Sequence, residues 1–271
     1  MSYPRLLAPL RHRAIIGMIH LLPMPGTPRY GGSVQQIIDH AMADAEALHT
    51  GGIDAIMVEN YGDVPFRKSG LEPHTIALMG LIATQVKHAT QLPLGINALR
   101  NDPLAALGIA AACGGAMIRV NVHTAAMVTD QGIIEGNARG TIDYRTTLGV
   151  AVKVMADVNV KHALPLVPFP IEELAADATE RGLADALIVT GSRTGAGVAI
   201  NELRRTRAAT HAPVFAGSGV TDTTITDILA ECDGAIVGSW LKHEGNVAAP
   251  VDAERVKRLM EAARQLPTGL Q

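Results

Sequence analysis

Cysteine, aromatic side chains and net charge are all scarce in this chain of 271 residues. Two cysteines, Cys113 and Cys232, cannot staple a chain of this size, which points to a reducing compartment and to stability from a buried core. Each stands just before a Gly-containing turn into an apolar run and reads as a small buried residue. Aromatics make up 3% of the chain, so base-stacking platforms and sugar-stacking clefts are poorly supplied. The 23 basic and 26 acidic residues leave a net charge of −3 and no bulk basic field, which argues against a nucleic-acid partner. Disorder is excluded by the 48% of hydrophobic residues. No apolar run reaches a bilayer-spanning length; the longest, 104–118, is broken by Gly108, Gly114 and Gly115. Arg5, Arg11 and Arg13 precede the apolar stretch 14–19, faintly like a signal peptide. However, His20, Pro23 and Pro25 follow at once and no small-residue cleavage site appears. The expectation is a cytoplasmic protein without membrane insertion.

Short apolar, β-branched runs recur at 14–20, 54–60, 93–99, 115–121, 152–161, 184–190, 213–218 and 234–240. Helical patterns separate them, at 33–49, 72–89, 103–112, 171–181, 199–209, 222–231 and 252–265. This alternation predicts a parallel sheet with helices outside. Eight such units in roughly 250 residues predict an α/β fold of the (β/α)8 TIM-barrel type, one domain spanning 1–271. Related turns precede four runs: Gly51-Gly52-Ile53-Asp54, Cys113-Gly114-Gly115-Ala116, Gly182-Leu183-Ala184-Asp185 and Cys232-Asp233-Gly234-Ala235. They suggest a doubled half-barrel, although any helix-to-strand turn favours Gly and Asp. An open doubly wound sheet would carry G-x-G-x-x-G after the first strand, and none is there. One irregular stretch, 122–142, follows the fourth run and is expected to lie over the active end as a lid.

In such a barrel the site lies where strands end. In the fifth run Val152, Val154, Ala156, Val158 and Val160 share one face, which must meet the helices; Lys153, Met155, Asp157, Asn159 and Lys161 then point inward. By the same parity Arg119, Asn121 and His123 point inward from the fourth run. The first ends in His20, the second in Glu59-Asn60, and the third carries Asn97. Burying so many polar groups is costly unless they pair or meet a ligand. An internal salt bridge of Asp157 with Arg119 or Lys161 explains one pair and leaves the rest. Asp157 is the candidate base, oriented by Arg119, Asn121 and His123, with Lys161 facing an incoming anion or carbonyl. Glu59 supplies a second carboxylate. A regular strand would hold Asp157 and Lys161 roughly 13 Å apart, so a direct bridge needs a bulge near Val158-Asn159.

The last three runs end instead in Thr190-Gly191-Ser192-Arg193-Thr194-Gly195, Gly217-Ser218-Gly219-Val220-Thr221 and Gly238-Ser239. Glycines let backbone amides approach an anion and hydroxyls add donors without bulk. Ser192, Thr194, Gly217, Ser218, Gly219, Gly238 and Ser239 are therefore candidate phosphate ligands; the plain alternative is that they turn corners. His20, Glu59, Asp157 and His162 include metal-ligand types, but no H-x-H or H-E-x-x-H spacing supports a divalent metal, and no cofactor is expected. A Schiff base at Lys161 is the alternative to its pairing with Asp157 or a phosphate.

These residues sit in segments that resemble a known family. Ile16-Gly17-Met18-Ile19-His20-Leu21-Leu22-Pro23-Met24-Pro25-Gly26 and Glu59-Asn60-Tyr61-Gly62-Asp63-Val64-Pro65-Phe66 resemble the BtpA/SgcQ family. So do Gln131-Gly132-Ile133-Ile134-Glu135-Gly136, Ala156-Asp157-Val158-Asn159-Val160-Lys161-His162-Ala163, Gly217-Ser218-Gly219-Val220-Thr221 and Asp233-Gly234-Ala235-Ile236-Val237-Gly238-Ser239. The resemblance covers nearly the whole chain and implies a barrel of the ribulose-phosphate-binding type. Its name-giving cyanobacterial member is implicated in photosystem I biogenesis, while other members look like sugar- or nucleotide-related enzymes. Two functions follow as expectations. One is an enzyme, a lyase, isomerase or hydrolase, on a phosphorylated small metabolite. It has His20, Glu59, Arg119, Asp157 and Lys161 as catalytic residues and Asn60, Asn97, Asn121, Glu135, Asn159 and His162 around the substrate. The other is an assembly factor, which has no use for a charged interior rim and should expose an apolar patch. The sequence leaves the oligomeric state open, a homo-oligomer included.

Overall fold

The apolar runs become strands whose alternate residues separate into two cores. The computed structural model describes residues 13–191 and 199–265, the Asn159 side chain excepted. Along it lie β1 (Ala14–His20), β2 (Ala55–Glu59), β3 (Leu94–Asn97), β4 (Met117–Val120), β5 (Ala126–Thr129) and β6 (Gly132–Glu135). They are followed by β7 (Lys153–Asn159), β8 (Ala163–Pro165), β9 (Ala186–Val189), β10 (Val214–Ala216) and β11 (Gly234–Val237). Eight of these close into a parallel barrel in the order β1-β11-β10-β9-β7-β4-β3-β2. Pairing of Ala14 with Gly234 through Gly17 with Val237 seals it. The TIM barrel read from the alternation is the fold observed.

Helices α1 (Val34–Thr50), α2 (Pro73–Thr90), α3 (Pro103–Cys113), α4 (Ala138–Leu148), α5 (Ile171–Ala176), α6 (Ile200–Ala208), α7 (Ile225–Glu231) and α8 (Ala253–Arg264) surround the strands. Their starts follow local chemistry. Asp102 accepts from Ala105 N with Pro103 in the first turn, Asn137 caps Gly140 N, and Asp252 caps Glu254 and Arg255. Outward strand residues such as Ile15, Ile56, Ile96, Val154 and Leu187 pack on the helices, while Ile16, Met18, Met57, Met117, Met155, Ile188, Phe215 and Ile236 fill the barrel. The parity read for 152–161 holds as far as Val158, with Val154 and Ala156 outside and Met155 inside. Val160, expected against the helices, instead packs under the hairpin and lines the cavity, because the strand is irregular after Asp157. Both cysteines are buried, and desolvation raises their thiol pKa values, Cys232 to about 11.

The recurring turns have a physical role at the barrel floor. The carboxylates of Asp54, Asp185 and Asp233 each accept, at 2.9 Å, from an N–H in the first two residues of the preceding barrel strand: Ile15, Val154 and Val214. The stretch 122–142 is more ordered than expected. It holds the hairpin β5–β6, joined by β8 into an antiparallel sheet ordered β6-β5-β8, and then the first turn of α4. Four-residue strands are too short to show alternation. Their inner residues Met127 and Ile134 nonetheless bury against Val122 and Val160. Among the described residues no helix is long and apolar enough to cross a membrane.

Candidate active site

Register places the polar residues. Across consecutive strands His20 stands opposite Glu59, Glu59 opposite Asn97, and Asn97 opposite Arg119. Each is the last or next-to-last inward position of its strand, so one belt of side chains rings the C-terminal mouth. From β7, Asp157 completes it. Arg119 grips Asp157 with two hydrogen bonds, Nε to Oδ1 and Nη2 to Oδ2, both 2.9 Å. Asn121 donates to Asp157 Oδ2 at 3.0 Å and accepts from Asn97 Nδ2 at 3.1 Å. Asp157 has no exposed side-chain surface and lies beneath the cavity. It lies deeper than Lys161, as expected, but as an anchor for Arg119 that does not reach the cavity, which removes it from the role of base expected of it. His123, expected to help orient it, turns away and hydrogen-bonds the Gly182 carbonyl at 2.8 Å, because β4 and its alternation stop at Val120.

Above this network opens a cavity of about 710 Å³, the size of a metabolite site. His20, Glu59, Arg119, Asn121, Lys161 and His162 line it from one side, and Gly217, Ser218, Gly219, Gly238 and Ser239 from the other. Of the two carboxylates in the belt, Glu59 is the one that lines this space. No donor hydrogen-bonds it among the described residues; its nearest partner is His20 Nε2 at 3.6 Å. Burial raises the Glu59 pKa, and Asp157 adds to the rise; Arg119, Lys161 and Arg100 oppose it. Burial also holds His20 well below the ordinary histidine range, helped by the positive charges of Lys242, Lys161 and Arg119. His20 is thus neutral, stacked on Tyr61 with ring centroids 4.7 Å apart.

A bulge interrupts β7 between Asp157 and Asn159, where a direct Asp157–Lys161 bridge would need one. The bridge is absent. Among the described residues no carboxylate lies within 4 Å of the Lys161 ammonium, and Arg100 Nη2 donates to its carbonyl at 2.5 Å. Desolvation, reinforced by Arg119 and Arg100, lowers the Lys161 pKa to about 8 against the pull of Glu59 and Asp157.

Other expected residues are placed differently. Asn60 ties loops together outside the cavity wall, accepting from Leu99 N at 2.7 Å and donating to Asp63 at 3.0 Å. Asn97 braces Asn121 below the cavity floor. Glu135 is exposed on β6 and lines a separate hollow beside α3, because the hairpin carries it outward. Gly217 N is committed to Val189 O at 2.8 Å, and Ser218 Oγ accepts from Gly191 N at 2.5 Å. The Gly219 and Val220 N–H groups meet no acceptor among the described residues. Ser192, Thr194 and the Asn159 side chain lie outside the described residues. Arg100, Tyr61 and Asp130 at the hairpin tip also line the cavity and were not singled out from the sequence. Arg100 belongs to the polar run Asn97-Ala98-Leu99-Arg100-Asn101-Asp102 beyond β3, a signal that was available. Among the described residues no group of three or more His, Cys, Asp or Glu side chains could hold a metal ion.

A closed parallel barrel with a charged belt and a glycine-rich arc at its C-terminal mouth defines a TIM-barrel protein. The chain belongs to the BtpA family, whose model matches residues 11–265. An uncharacterized protein of Pyrococcus furiosus is 44% identical over 94% of this chain and 96% of its own length. The photosystem I biogenesis protein BtpA of Synechocystis is 43% identical over 93% of this chain and 88% of its own. Among solved structures the fold is similar to thiamine phosphate pyrophosphorylase from Pyrococcus furiosus. That match has a TM-score of 0.59 and 15% identity, covering 97% of this chain and 98% of that one.

Proposed function

We propose that the protein is an enzyme that performs acid–base chemistry on a phosphorylated small metabolite. The observation that carries this reading is Glu59, a buried carboxylate with no donor on it, opening onto a metabolite-sized cavity. A carboxyl whose pKa is raised by desolvation holds its proton more readily and is suited to give it up and take it back. The neutral His20 beside it, 3.6 Å away, offers no fixed positive charge to hold the carboxyl ionised. Arg119, locked by Asp157, offers a positive charge to negative charge developing on the substrate. The amides of Gly219 and Val220, which meet no acceptor among the described residues, with Ser218 and Ser239 nearby, are suited to a phosphate. Thiamine phosphate pyrophosphorylase, by its name an enzyme of phosphorylated compounds, uses the same barrel. The hairpin β5–β6, whose Asp130 reaches the cavity, serves as the lid.

The test is a thermal-shift series with inorganic phosphate, sugar phosphates and nucleotides, followed by turnover of whichever binds. Glu59→Gln is expected to bind phosphate normally and lose turnover by roughly 10²–10⁴-fold. Unchanged turnover in that variant sinks the reading.

A second reading, a protein-binding scaffold, has one observation in its favour. Ile133, Val128 and Leu164 stand side by side across the small sheet with their side chains exposed, Leu164 at 73%, and Leu166, Val167 and Phe169 extend the patch. Such a row is unusual on a surface without a partner. The Synechocystis relative is named for a biogenesis role.

A further inference from the structure

Buried cations are ordinarily matched by an anion, since an unpaired one is costly. The rule holds for Arg119, clasped by Asp157, and for Lys242, enclosed with Asp44. It fails at Lys161. This side chain lines the cavity beside Glu59, yet among the described residues its ammonium has no carboxylate within 4 Å. The nearby candidate, Asp157, already accepts three hydrogen bonds from Arg119 and Asn121. Two guanidiniums, Arg119 and Arg100, add positive potential, and Arg100 also clamps the Lys161 carbonyl so the backbone cannot swing the amine away. A lysine retained for structure would be paired. One retained only to hold a phosphate gains from staying charged. Here the surroundings disfavour charge and leave the amine open to the cavity, and with a pKa of about 8 roughly a quarter of the molecules carry a neutral amine at pH 7.5.

We propose that Lys161 is a covalent nucleophile and that the substrate is an aldehyde or ketone bearing a phosphate. This rests on the acid–base reading above and names its substrate class. The Nζ lone pair forms a C–N bond to the carbonyl carbon, and the carbonyl π electrons move to oxygen. That oxygen takes up the proton leaving nitrogen, giving a carbinolamine. Glu59, protonated, then gives its proton to the carbinolamine hydroxyl. The C–O bond breaks, water leaves, and the nitrogen lone pair closes a C=N⁺ bond. Glu59, now ionised, faces the iminium and accepts a proton from the adjacent carbon. The C–H electrons form a C=C bond and the C=N⁺ π pair returns to nitrogen, giving an enamine. Reprotonation and addition of water reverse the sequence and return the free amine.

The experiment treats the full chain with glycolaldehyde phosphate, or with glycolaldehyde, in the presence of sodium borohydride, and maps adducts by peptide mass. Lys161 should label at least tenfold faster than the exposed Lys68 and Lys257. Lys161→Met and Lys161→Arg, the second keeping the charge, should both lose that adduct while still unfolding cooperatively, Lys161→Met at or above the wild-type melting temperature. Labelling of Lys161 no faster than of Lys68 and Lys257 with either aldehyde overturns the proposal. If phosphate still raises the melting temperature in that case, the reading of a phosphorylated substrate survives without it. Equal labelling by both aldehydes supports the amine chemistry and removes the phosphate instead.

Discussion

The two arcs of the barrel mouth use one backbone plan for opposite ends. Along β1 to β4 and β7 the inward positions at the mouth carry His20, Glu59, Asn97, Arg119 and Asp157; just past the ends of β10 and β11 stand Gly217 and Gly238. The glycines are small because their neighbours are large. A Cβ on Gly238 would lie 3.0 Å from His20 Cε1, and one on Gly217 would lie 2.6 Å from Ile188 Cγ2. At Gly238 a ring of the charged arc, His20, thus leans into room the glycine leaves, while Gly217 makes room for its own neighbours Ile188 and Thr190. The same fact separates two meanings of glycine that look alike in sequence. Gly217 serves packing and its amide is committed to the sheet, whereas Gly219, at φ +67°, frees its own amide for an anion.

The sharpest break of this comparison is on the charged arc. Asp157→Ala should lower stability by roughly 3–5 kcal/mol, since it strands the Arg119 guanidinium in the interior. Urea unfolding measures it, and the double variant Asp157→Ala/Arg119→Met should recover part of the loss. An unaltered midpoint would mean that the pair does not hold the belt.

Lys161 should behave in the opposite sense. Its folded pKa of about 8 lies below the ordinary 10.5, so between those values the unfolded chain holds more protons. Wild-type stability therefore carries its full penalty below pH 8 and regains it as pH climbs toward 10.5. The groups facing it are Glu59 on β2, Arg100 beyond β3, Arg119 on β4 and Asp157 on β7. Lys161→Met should be the more stable protein at pH 7 by as much as about 3 kcal/mol. Its advantage should fade by pH 10.5. A variant less stable than wild type at pH 7 would show that Lys161 is paired after all.

On the glycine arc the effects are smaller. Gly217→Ala should cost about 1–3 kcal/mol through overpacking against Ile188 and Thr190. Gly238→Ala, whose Cβ has only the His20 ring to displace, should cost about 1 kcal/mol or less. The melting temperatures rank the two, and a reversed order would contradict the packing account.

Parity explains what was legible. In 152–161 an unbroken alternation of valine and alanine with other residues assigns Asp157 to the interior, and the same counting assigns Arg119 and Asn121. The His20, Glu59 and Asn97 rung follows from strand ends alone. Counting fails where strands end. His123, three residues beyond Val120, bonds Gly182 instead of Asp157. Arg100 and Asn101 lie beyond β3 in irregular chain, so no period points at them, yet Arg100 clamps Lys161 and Asn101 bonds both backbone groups of Val122. Glu135 sits in a hairpin too short to announce itself, and the hairpin turns it away from the mouth.

The order of strands and helices, the closed barrel and the polar character of its mouth were determined by the sequence itself, because periodicity and turn chemistry act over a few neighbouring residues. Which charges meet was decided only in three dimensions. Asp157 could have served Lys161, four residues away along the chain, or Arg119, 38 residues away. Register across β4 and β7 offers both carboxylate oxygens to the guanidinium fork, a bidentate geometry that an ammonium cannot match. Lys161 is left uncompensated as a result, and its lowered pKa arises from that choice of partner together with burial in the mouth.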